Sequence, residues 1–126
     1  MTTNPRRRAG TILLADDEPL LRELGETILK QAGYTVLTAG NADAVRKLMT
    51  EHSGTVDLIL ADVVMPDISG PDLVRIGKQR WPEARVLYMS GYTDDELQDL
   101  DPGAGFIQKP FTPTELMAKI DEILGL

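Results

Sequence analysis

The chain has 126 residues, 42% of them hydrophobic and 26% charged, and its formal net charge is −7 at pH 7. This length predicts one domain around one core. The negative charge argues against a general nucleic-acid binder, which needs a basic face. Cysteine is absent, which excludes disulfide bridges and thiolate metal sites.

The pattern of apolar residues predicts neither a membrane span nor a secretion signal. No apolar run approaches the roughly 20 residues of a membrane span, and the N-terminus lacks the apolar core of a secretion signal. We therefore expect a cytoplasmic location and no membrane partner. Residues 1–9 are polar, with three arginines at 6–8, and predict a flexible tail ahead of a domain at 10–126. A nucleic-acid contact through these arginines is a weaker alternative.

The first third of the chain predicts a strand, a helix and a second strand. An apolar run at 11–15 is the first strand, and Pro19 suits the first turn of the helix that follows, to about Ala32. Gly33 predicts its end, before a strand at 34–38. One face of this helix is predicted to carry Leu20, Leu21, Leu24, Ile28 and Leu29.

The rest of the chain continues the alternation of strands and helices. The predicted elements are a helix capped by Asn41, a strand at 58–62, a helix from Pro71 to about 80, a strand at 85–90, a short helix within the acidic segment 91–101, a strand at 105–108 and a helix after a capping box at 112–115. Five strands alternating with five helices predict a parallel sheet covered on both faces.

Polar side chains stand at the carboxyl ends of four predicted strands. Asp16 and Asp17 follow the first strand, and Asp62 ends the third. Ser90 ends the fourth strand, and Lys109 follows the fifth. Because parallel strands present their carboxyl ends at one edge of a sheet, we expect these side chains to share one pocket.

Three carboxylates in one pocket repel one another unless cations offset their charge. A hard divalent cation is one solution, and ligands that are all oxygen favour Mg²⁺ or Mn²⁺. The ammonium group of Lys109 is the other. A carboxylate, a hard metal ion, a lysine and a hydroxyl together make a phosphoryl-transfer site, in which the carboxylate becomes an aspartyl phosphate.

Four short motifs, in order and on the predicted strand ends, resemble the receiver domain of two-component response regulators over about residues 10–126. They are Ala-Asp-Asp-Glu at 15–18, Asp-Val-Val-Met-Pro-Asp-Ile-Ser-Gly at 62–70, Met-Ser-Gly-Tyr at 89–92 and Phe-Ile-Gln-Lys-Pro-Phe at 106–111. The resemblance implies a flavodoxin-like (βα)5 fold of the α/β class, with a doubly wound parallel sheet in the order 2-1-3-4-5.

The resemblance also implies a role for each polar residue of the pocket. Asp62 would be the phosphoacceptor. Asp16, Asp17, Asp62 and the backbone carbonyl of Val64 would bind Mg²⁺, and Lys109 would pair with the phosphoryl group. The donor would be a phosphohistidine on a histidine kinase or a histidine phosphotransfer protein.

Two further pairs of residues have roles implied by the resemblance. Ser90 and Phe106 would form a switch, in which the phosphoryl group draws the hydroxyl inward and Phe106 buries itself in the vacated space. Many members of the family have Tyr where this chain has Phe106. Because Phe has no hydroxyl to form a hydrogen bond, we expect this switch to act by packing. Val64 and Tyr92 would flank the path of the hydrolysing water, and neither can orient it, which predicts slow self-dephosphorylation.

The expected output surface comprises the fourth predicted helix, the fifth strand and the final helix, where a downstream protein would bind. No nucleic-acid partner is expected, given the net charge of −7. The sequence shows no DNA-binding or catalytic output segment, so we expect the response to be delivered by another protein or by phosphoryl relay. The Met-Ser-Gly-Tyr run also resembles receivers of hybrid sensor kinases. A stand-alone regulator and an excised receiver therefore both remain open.

Two other functions compete with a phosphoacceptor signalling domain. One is a small Mg²⁺-dependent aspartyl-phosphate phosphatase or phosphotransferase, and the other is an interaction module that acts without phosphorylation. Val63 and Val64 leave no second carboxylate close after Asp62 to serve as general acid, which argues against an enzyme that turns over. The complete set of acids and Lys109 argue against an inactive module.

Overall fold

The computed structural model describes residues 10–91 and 103–125. The strands of this part are β1 Thr11–Ala15, β2 Thr35–Ala39, β3 Leu58–Asp62, β4 Arg85–Ser90 and β5 Gly105–Gln108. Its helices are α1 Pro19–Gln31, α2 Ala42–Glu51, α3 Gly70–Arg80 and α4 Pro113–Leu124. The predicted tail at 1–9 and nearly all of the helix predicted within 91–101 lie outside the described residues. None of the four helices is long and apolar enough to cross a membrane.

The five strands form one parallel sheet in the order β2-β1-β3-β4-β5, which confirms the flavodoxin-like topology. In the centre of the sheet Leu14 pairs with Leu60, and Leu60 pairs with Leu87. At the carboxyl edge Asp62 lies opposite Met89, and Ser90 lies opposite Gln108. The carboxyl ends of β1, β3, β4 and β5 therefore lie at one edge of the sheet.

The two faces of the sheet carry separate apolar layers. Alternate residues of a strand point to opposite faces, so Leu13 and Ile59 join one layer while Ile12 and Leu58 join the other. The first layer contains Val45 of α2 and Leu73 and Val74 of α3. The second contains Leu29 of α1 and Leu116 and Ile120 of α4. Burial of β1 and β3 on both faces holds their carboxyl ends in fixed positions.

The predicted helix signals are confirmed at most of the helix ends. The Asn41 side chain accepts a hydrogen bond from the backbone N–H of Ala44 at 2.8 Å. Thr112 and Glu115 form the reciprocal capping box, with bonds of 3.0 and 3.1 Å. Pro19 is the first residue of α1, and Gly33 follows its end with a φ of 110°. The second strand, predicted at 34–38, lies one residue later in the structure, at Thr35–Ala39.

The five apolar residues predicted to share one face of α1 are not all buried. Leu20 is 80% exposed and Leu24 is 56% exposed, whereas Leu29 is fully buried. Leu20 and Leu29 are nine residues apart, which places them on opposite sides of a helix with 3.6 residues per turn. The helix turns its Gly25 side toward the sheet, where an added Cβ would lie 2.9 Å from Leu14 Cδ2. The side of the apolar stripe that carries Leu20 and Leu24 therefore lies at the surface.

Candidate functional site

Three carboxylates meet at the carboxyl edge of the sheet, as the sequence predicts. Asp16 and Asp17 follow β1, and Asp62 is the last residue of β3. One oxygen from each carboxylate lies within 4.8 Å of the other two. Asp16 is only 2% exposed and Asp62 only 8% exposed, so their charges are poorly screened by water.

Lys109 reaches these carboxylates from the residue after β5. Its backbone N–H donates to the carbonyl of Ser90 at 2.7 Å, which extends the pairing of β4 and β5. Its Nζ donates to Asp62 Oδ2 at 2.6 Å and to Asp16 Oδ2 at 3.3 Å. Burial opposes the charged form of the ammonium, but the hydrogen bond to Asp62 and the charges of both carboxylates outweigh it. The pKa of Lys109 is therefore raised above its ordinary value.

The turn after β3 fixes the other oxygen of Asp62. The backbone N–H of Val64 donates to Asp62 Oδ1 at 3.1 Å. The turn closes where the N–H of Gly70 donates to the carbonyl of Val63 at 2.8 Å. A Cβ at Gly70 would lie 2.6 Å from the Asp62 carbonyl oxygen. Only glycine permits this close approach, which explains its place at the start of α3.

Asp16 and Asp17 differ in how they are held. Asp16 Oδ1 accepts from the N–H of Glu18 at 3.0 Å, and its own N–H donates to the carbonyl of Ala39 at 3.1 Å. Its carbonyl accepts from Arg22 Nη1 at 2.7 Å. Within the described part of the chain, no hydrogen bond reaches the half-buried carboxylate of Asp17. This carboxylate therefore keeps its lone pairs available for a ligand.

The donor set of this pocket fits a hard divalent cation. Three carboxylates converge, and the only histidine of the chain, His52, lies at the end of α2. Oxygen donors without thiolate or imidazole suit Mg²⁺ or Mn²⁺. Val64, whose backbone carbonyl is predicted to be a further ligand, is exposed and stands in the same turn as Asp62.

The two predicted switch residues occupy neighbouring strands. Ser90 ends β4 and is 3% exposed. Phe106 pairs with Tyr88 across β4 and β5, and their ring centroids are 5.6 Å apart. Phe106 is half-buried, so full burial is not its arrangement here. Tyr92, the second predicted lifetime residue, lies outside the described residues.

Two residues that support the pocket were missed by sequence reasoning. Arg22 binds the carbonyl of Asp16, and Asp67 Oδ2 accepts from the N–H of Ala42 at 2.9 Å, which ties the turn after β3 to the start of α2. Asp67 follows Pro66 in a turn, so an Asp that hydrogen-bonds backbone was foreseeable there. Nothing in the pattern of α1 distinguishes Arg22 from an ordinary surface arginine.

Comparison with known proteins extends over most of the chain. Residues 12–121 match the family model described as the response regulator receiver domain. The chain is 34% identical over 119 residues to the sensor kinase CckA of Brucella abortus, covering 92% of this chain and 13% of that protein. It is 35% identical to the phosphate regulon transcriptional regulatory protein PhoB of Pseudomonas aeruginosa, covering 90% of this chain and 51% of PhoB.

A solved structure gives the same assignment. The response regulator protein TrrA from Thermotoga maritima, crystallised in complex with Mg²⁺-BeF, is 30% identical. It superposes with a TM-score of 0.76, covering 91% of this chain and 99% of TrrA. The curated relatives are longer proteins, since the chain spans 13% of CckA and about half of PhoB. Receiver domains of two-component systems are signalling domains that generally accept a phosphoryl group. The family match over 12–121 and the shared fold show that this chain belongs to the response regulator receiver domain family.

Proposed function

We propose that this chain accepts a phosphoryl group from a phosphohistidine onto Asp62 and thereby changes a surface that binds another protein. The observation that carries the proposal is the position of Lys109 Nζ, 2.6 Å from Asp62 and 3.3 Å from Asp16, in a pocket where three carboxylates converge. The donor is a histidine kinase or a histidine phosphotransfer protein.

The transfer step forms one bond and breaks one bond. A carboxylate oxygen of Asp62 attacks phosphorus, the P–O bond forms, and the P–N bond of the phosphohistidine breaks. The electron pair of the P–N bond stays on the imidazole, which takes up a proton as it leaves. Lys109 stays charged because its pKa is raised, and its ammonium stabilises negative charge on the phosphoryl oxygens.

Asp16, Asp17, Asp62 and the Val64 carbonyl would bind Mg²⁺, or Mn²⁺ in its place. When bound, the ion neutralises charge on the acids and on the incoming phosphoryl group. The Asp17 carboxylate, which accepts no hydrogen bond from the residues that the structure describes, supports this role, and so does the Mg²⁺-BeF complex of TrrA. Within the chain, Asp16 and Asp62 also bind Lys109, so the lysine and the ion share the task of offsetting three negative charges.

The exposed rim of α1 suits a donor protein that delivers the phosphoryl group to this pocket. Leu20 and Leu24 stand at the surface, and Leu24 lines a groove of about 370 Å³ between α1 and α4. Asp16, Lys109 and Phe111 line the same groove. A protein whose apolar side chains fill the groove therefore brings its phosphohistidine close to Asp62.

Ser90 and Phe106 are the proposed switch, and the segment 91–101, β5 and α4 form the proposed surface for a downstream protein. Ser90 is buried and Phe106 is only half-buried, which leaves room for further burial of its ring after phosphorylation. A Ser90→Ala variant should accept the phosphoryl group and lose the accompanying change at β4 and β5, measured by amide hydrogen exchange. The same change in Ser90→Ala as in the wild type would contradict the switch.

Val64 and Tyr92 are the proposed determinants of phosphoryl lifetime. Val64 is 64% exposed beside Asp62 and has no group that could orient a hydrolysing water. A Val64→Asn variant should lose its phosphoryl group faster than the wild type, measured as the half-life of the labelled protein. An unchanged half-life would argue against the assignment.

One assay separates the proposed function from its two alternatives. The protein is incubated with Mg²⁺ and a phosphorylated histidine kinase domain or acetyl phosphate, and covalent label and free phosphate are followed. One stable label per chain on Asp62 supports the proposal. Rapid release of many phosphates per chain supports a phosphatase or phosphotransferase, and absence of label supports a phosphorylation-independent module.

A further inference from the structure

The guanidinium of Arg22 binds the backbone beside the acidic pocket. Arg22 lies in the first turn of α1, and its Nη1 donates to the carbonyl oxygen of Asp16 at 2.7 Å. The side chain is half-buried, so water competes weakly for this bond. A hydrogen bond from a charged donor is stronger than a neutral one. The contact therefore fixes the peptide group that joins Asp16 to Asp17.

That peptide group controls the direction of the Asp17 side chain. The Asp16 carboxylate has partners of its own, Glu18 N–H and Lys109 Nζ. Asp17 has no such hydrogen bond among the residues that the structure describes, so the direction of its carboxylate depends strongly on its backbone. A change in the orientation of the preceding peptide would move the Asp17 carboxylate relative to the other two.

Gly40, between β2 and α2, leaves the space that the guanidinium occupies. A Cβ at Gly40 would lie 2.7 Å from Arg22 Nη1 and 3.3 Å from its Cζ. The φ angle of Gly40 is not among the positive values in the described chain, so its backbone does not require glycine. The atom that meets the added Cβ is the flexible end of a side chain. An alanine at this position would therefore displace the guanidinium at little cost to the fold.

We infer that Arg22, in the space left by Gly40, is a positioning residue that holds the Asp16–Asp17 peptide so that the Asp17 carboxylate is oriented for metal binding. The inference rests on the proposed function, in which Asp16, Asp17 and Asp62 bind a divalent cation. Arg22 acts through the backbone and is not itself a ligand.

The first test is the affinity for Mg²⁺, measured by equilibrium titration of the unphosphorylated protein. Arg22→Met keeps the apolar stem of the side chain and removes the donor. Loss of a group that orients a metal ligand weakens metal binding by roughly tenfold or more, and we expect that loss here. Arg75→Met is the matched control, because Arg75 pairs with Asp72 on the exposed side of α3 at 2.6 Å. It should bind Mg²⁺ like the wild type.

The second test disturbs the contact between Arg22 and Asp16 through a substitution at Gly40. Gly40→Ala should weaken Mg²⁺ binding in the same direction as Arg22→Met. If it acts by displacing the guanidinium, the double variant should bind Mg²⁺ no more weakly than Arg22→Met alone. Fully additive losses would show that Gly40→Ala acts elsewhere and would overturn the role assigned to Gly40.

The third test needs no metal. In the metal-free protein, Arg22→Met should shift the amide nitrogen resonance of Asp17, because that nitrogen belongs to the peptide whose oxygen loses its bond. Arg75→Met should leave the resonance unchanged, and thermal unfolding should show that each variant is folded. An unshifted Asp17 resonance together with wild-type Mg²⁺ affinity in Arg22→Met would overturn the inference.

Failure of the proposed metal site gives a different result. In that case the wild-type protein itself would not bind Mg²⁺ at millimolar concentration, and the positioning role would be overturned together with the site. A wild type that binds Mg²⁺ and an Arg22→Met variant that binds it equally well would overturn the positioning role alone.

Discussion

The central strand β3 is flanked by aspartates at both edges of the sheet, and the two are used differently. Asp57, just before the strand, is exposed, and its Oδ2 accepts from the N–H of Thr11 at 2.8 Å. Its backbone N–H donates to the carbonyl of Thr11 at 2.8 Å, and its backbone carbonyl accepts from the N–H of Arg85 at 2.9 Å. Asp62, at the end of the strand, is buried beside Asp16 and is held by an ammonium group.

The comparison shows how one residue type can be structural at one edge and chemical at the other. The exposed Asp57 carboxylate accepts a hydrogen bond from the neutral backbone N–H of Thr11. Its role is therefore structural, since this bond links the starts of β1 and β3. Asp62 lies among like charges in a poorly solvated pocket, where an incoming cation or phosphoryl group changes its electrostatic environment strongly. The predictions below test this division of roles.

The largest expected effect comes from Asp62→Asn. Because the amide cannot form the acyl phosphate, covalent labelling should be lost. Asp57→Asn should label like the wild type, because its amide oxygen can still accept from Thr11. Labelling by a phosphorylated kinase domain or acetyl phosphate measures both variants. Equal labelling of Asp62→Asn and the wild type would contradict the chemical role assigned to Asp62.

Lys109→Met should give the next largest effect. Loss of a charged donor at the phosphoryl group lowers transfer rates by about 100-fold or more, measured as the initial rate of labelling. Lys30→Met is the control, because the partner of Lys30 among the described residues is Glu26 on the surface of α1. A transfer rate in Lys109→Met within a few-fold of the wild type would contradict the role of the ammonium.

The raised pKa of Lys109 also predicts a pH dependence of stability. Since the folded pKa lies above the unfolded value, the stabilisation is fully present below the ordinary lysine pKa of about 10.4 and is lost as pH rises through the folded pKa. Urea unfolding from pH 7 to 11 measures this loss. The free energy of unfolding of Lys109→Met should lack this part of the decrease at alkaline pH. An identical decrease in the variant and the wild type would contradict the raised pKa of Lys109.

Gly70→Ala should have an intermediate effect on both stability and labelling. The added Cβ would lie 2.6 Å from the Asp62 carbonyl oxygen and 2.9 Å from Val63 Cα, so the backbone must shift. Overpacking of this kind costs about 1–3 kcal/mol in the free energy of unfolding, and labelling should slow because Asp62 moves. Gly103→Ala is the control, because no atom of the described residues lies within 4 Å of its added Cβ. Unchanged labelling in Gly70→Ala would show that the turn tolerates displacement.

Asp57→Ala should have the smallest effect and an opposite profile. Removing the acceptor of the Thr11 N–H should lower the free energy of unfolding by about 1 kcal/mol, measured by urea denaturation, with labelling unchanged. A loss of labelling that exceeds what the unfolded fraction explains would show that the amino edge contributes to the chemistry.

Much of this arrangement could be predicted because it depends on local patterns. Short apolar runs and capping residues define the alternating elements, and a parallel sheet then requires Asp16, Asp62 and Lys109 to share an edge. The residues that end the strands were therefore predictable, and so was their proximity.

Other features depend on how the elements pack against one another. The apolar stripe of α1 covers half of its circumference, and only the close approach of Gly25 to Leu14 decides which rim contacts the sheet. The exposure of Leu20 and Leu24 therefore could not be predicted from periodicity. The contact of Arg22 with Asp16 depends equally on the space above Gly40, which no local pattern reveals.

The most direct test of the central claim is to locate the phosphoryl group. The protein labelled in the presence of Mg²⁺ is treated with borohydride, which reduces an acyl phosphate to an alcohol, and its peptides are sequenced by mass spectrometry. Asp62 should be recovered as homoserine, with Asp16, Asp17 and Asp57 unchanged. Homoserine at another aspartate, or none in a protein that carries label, would contradict the account.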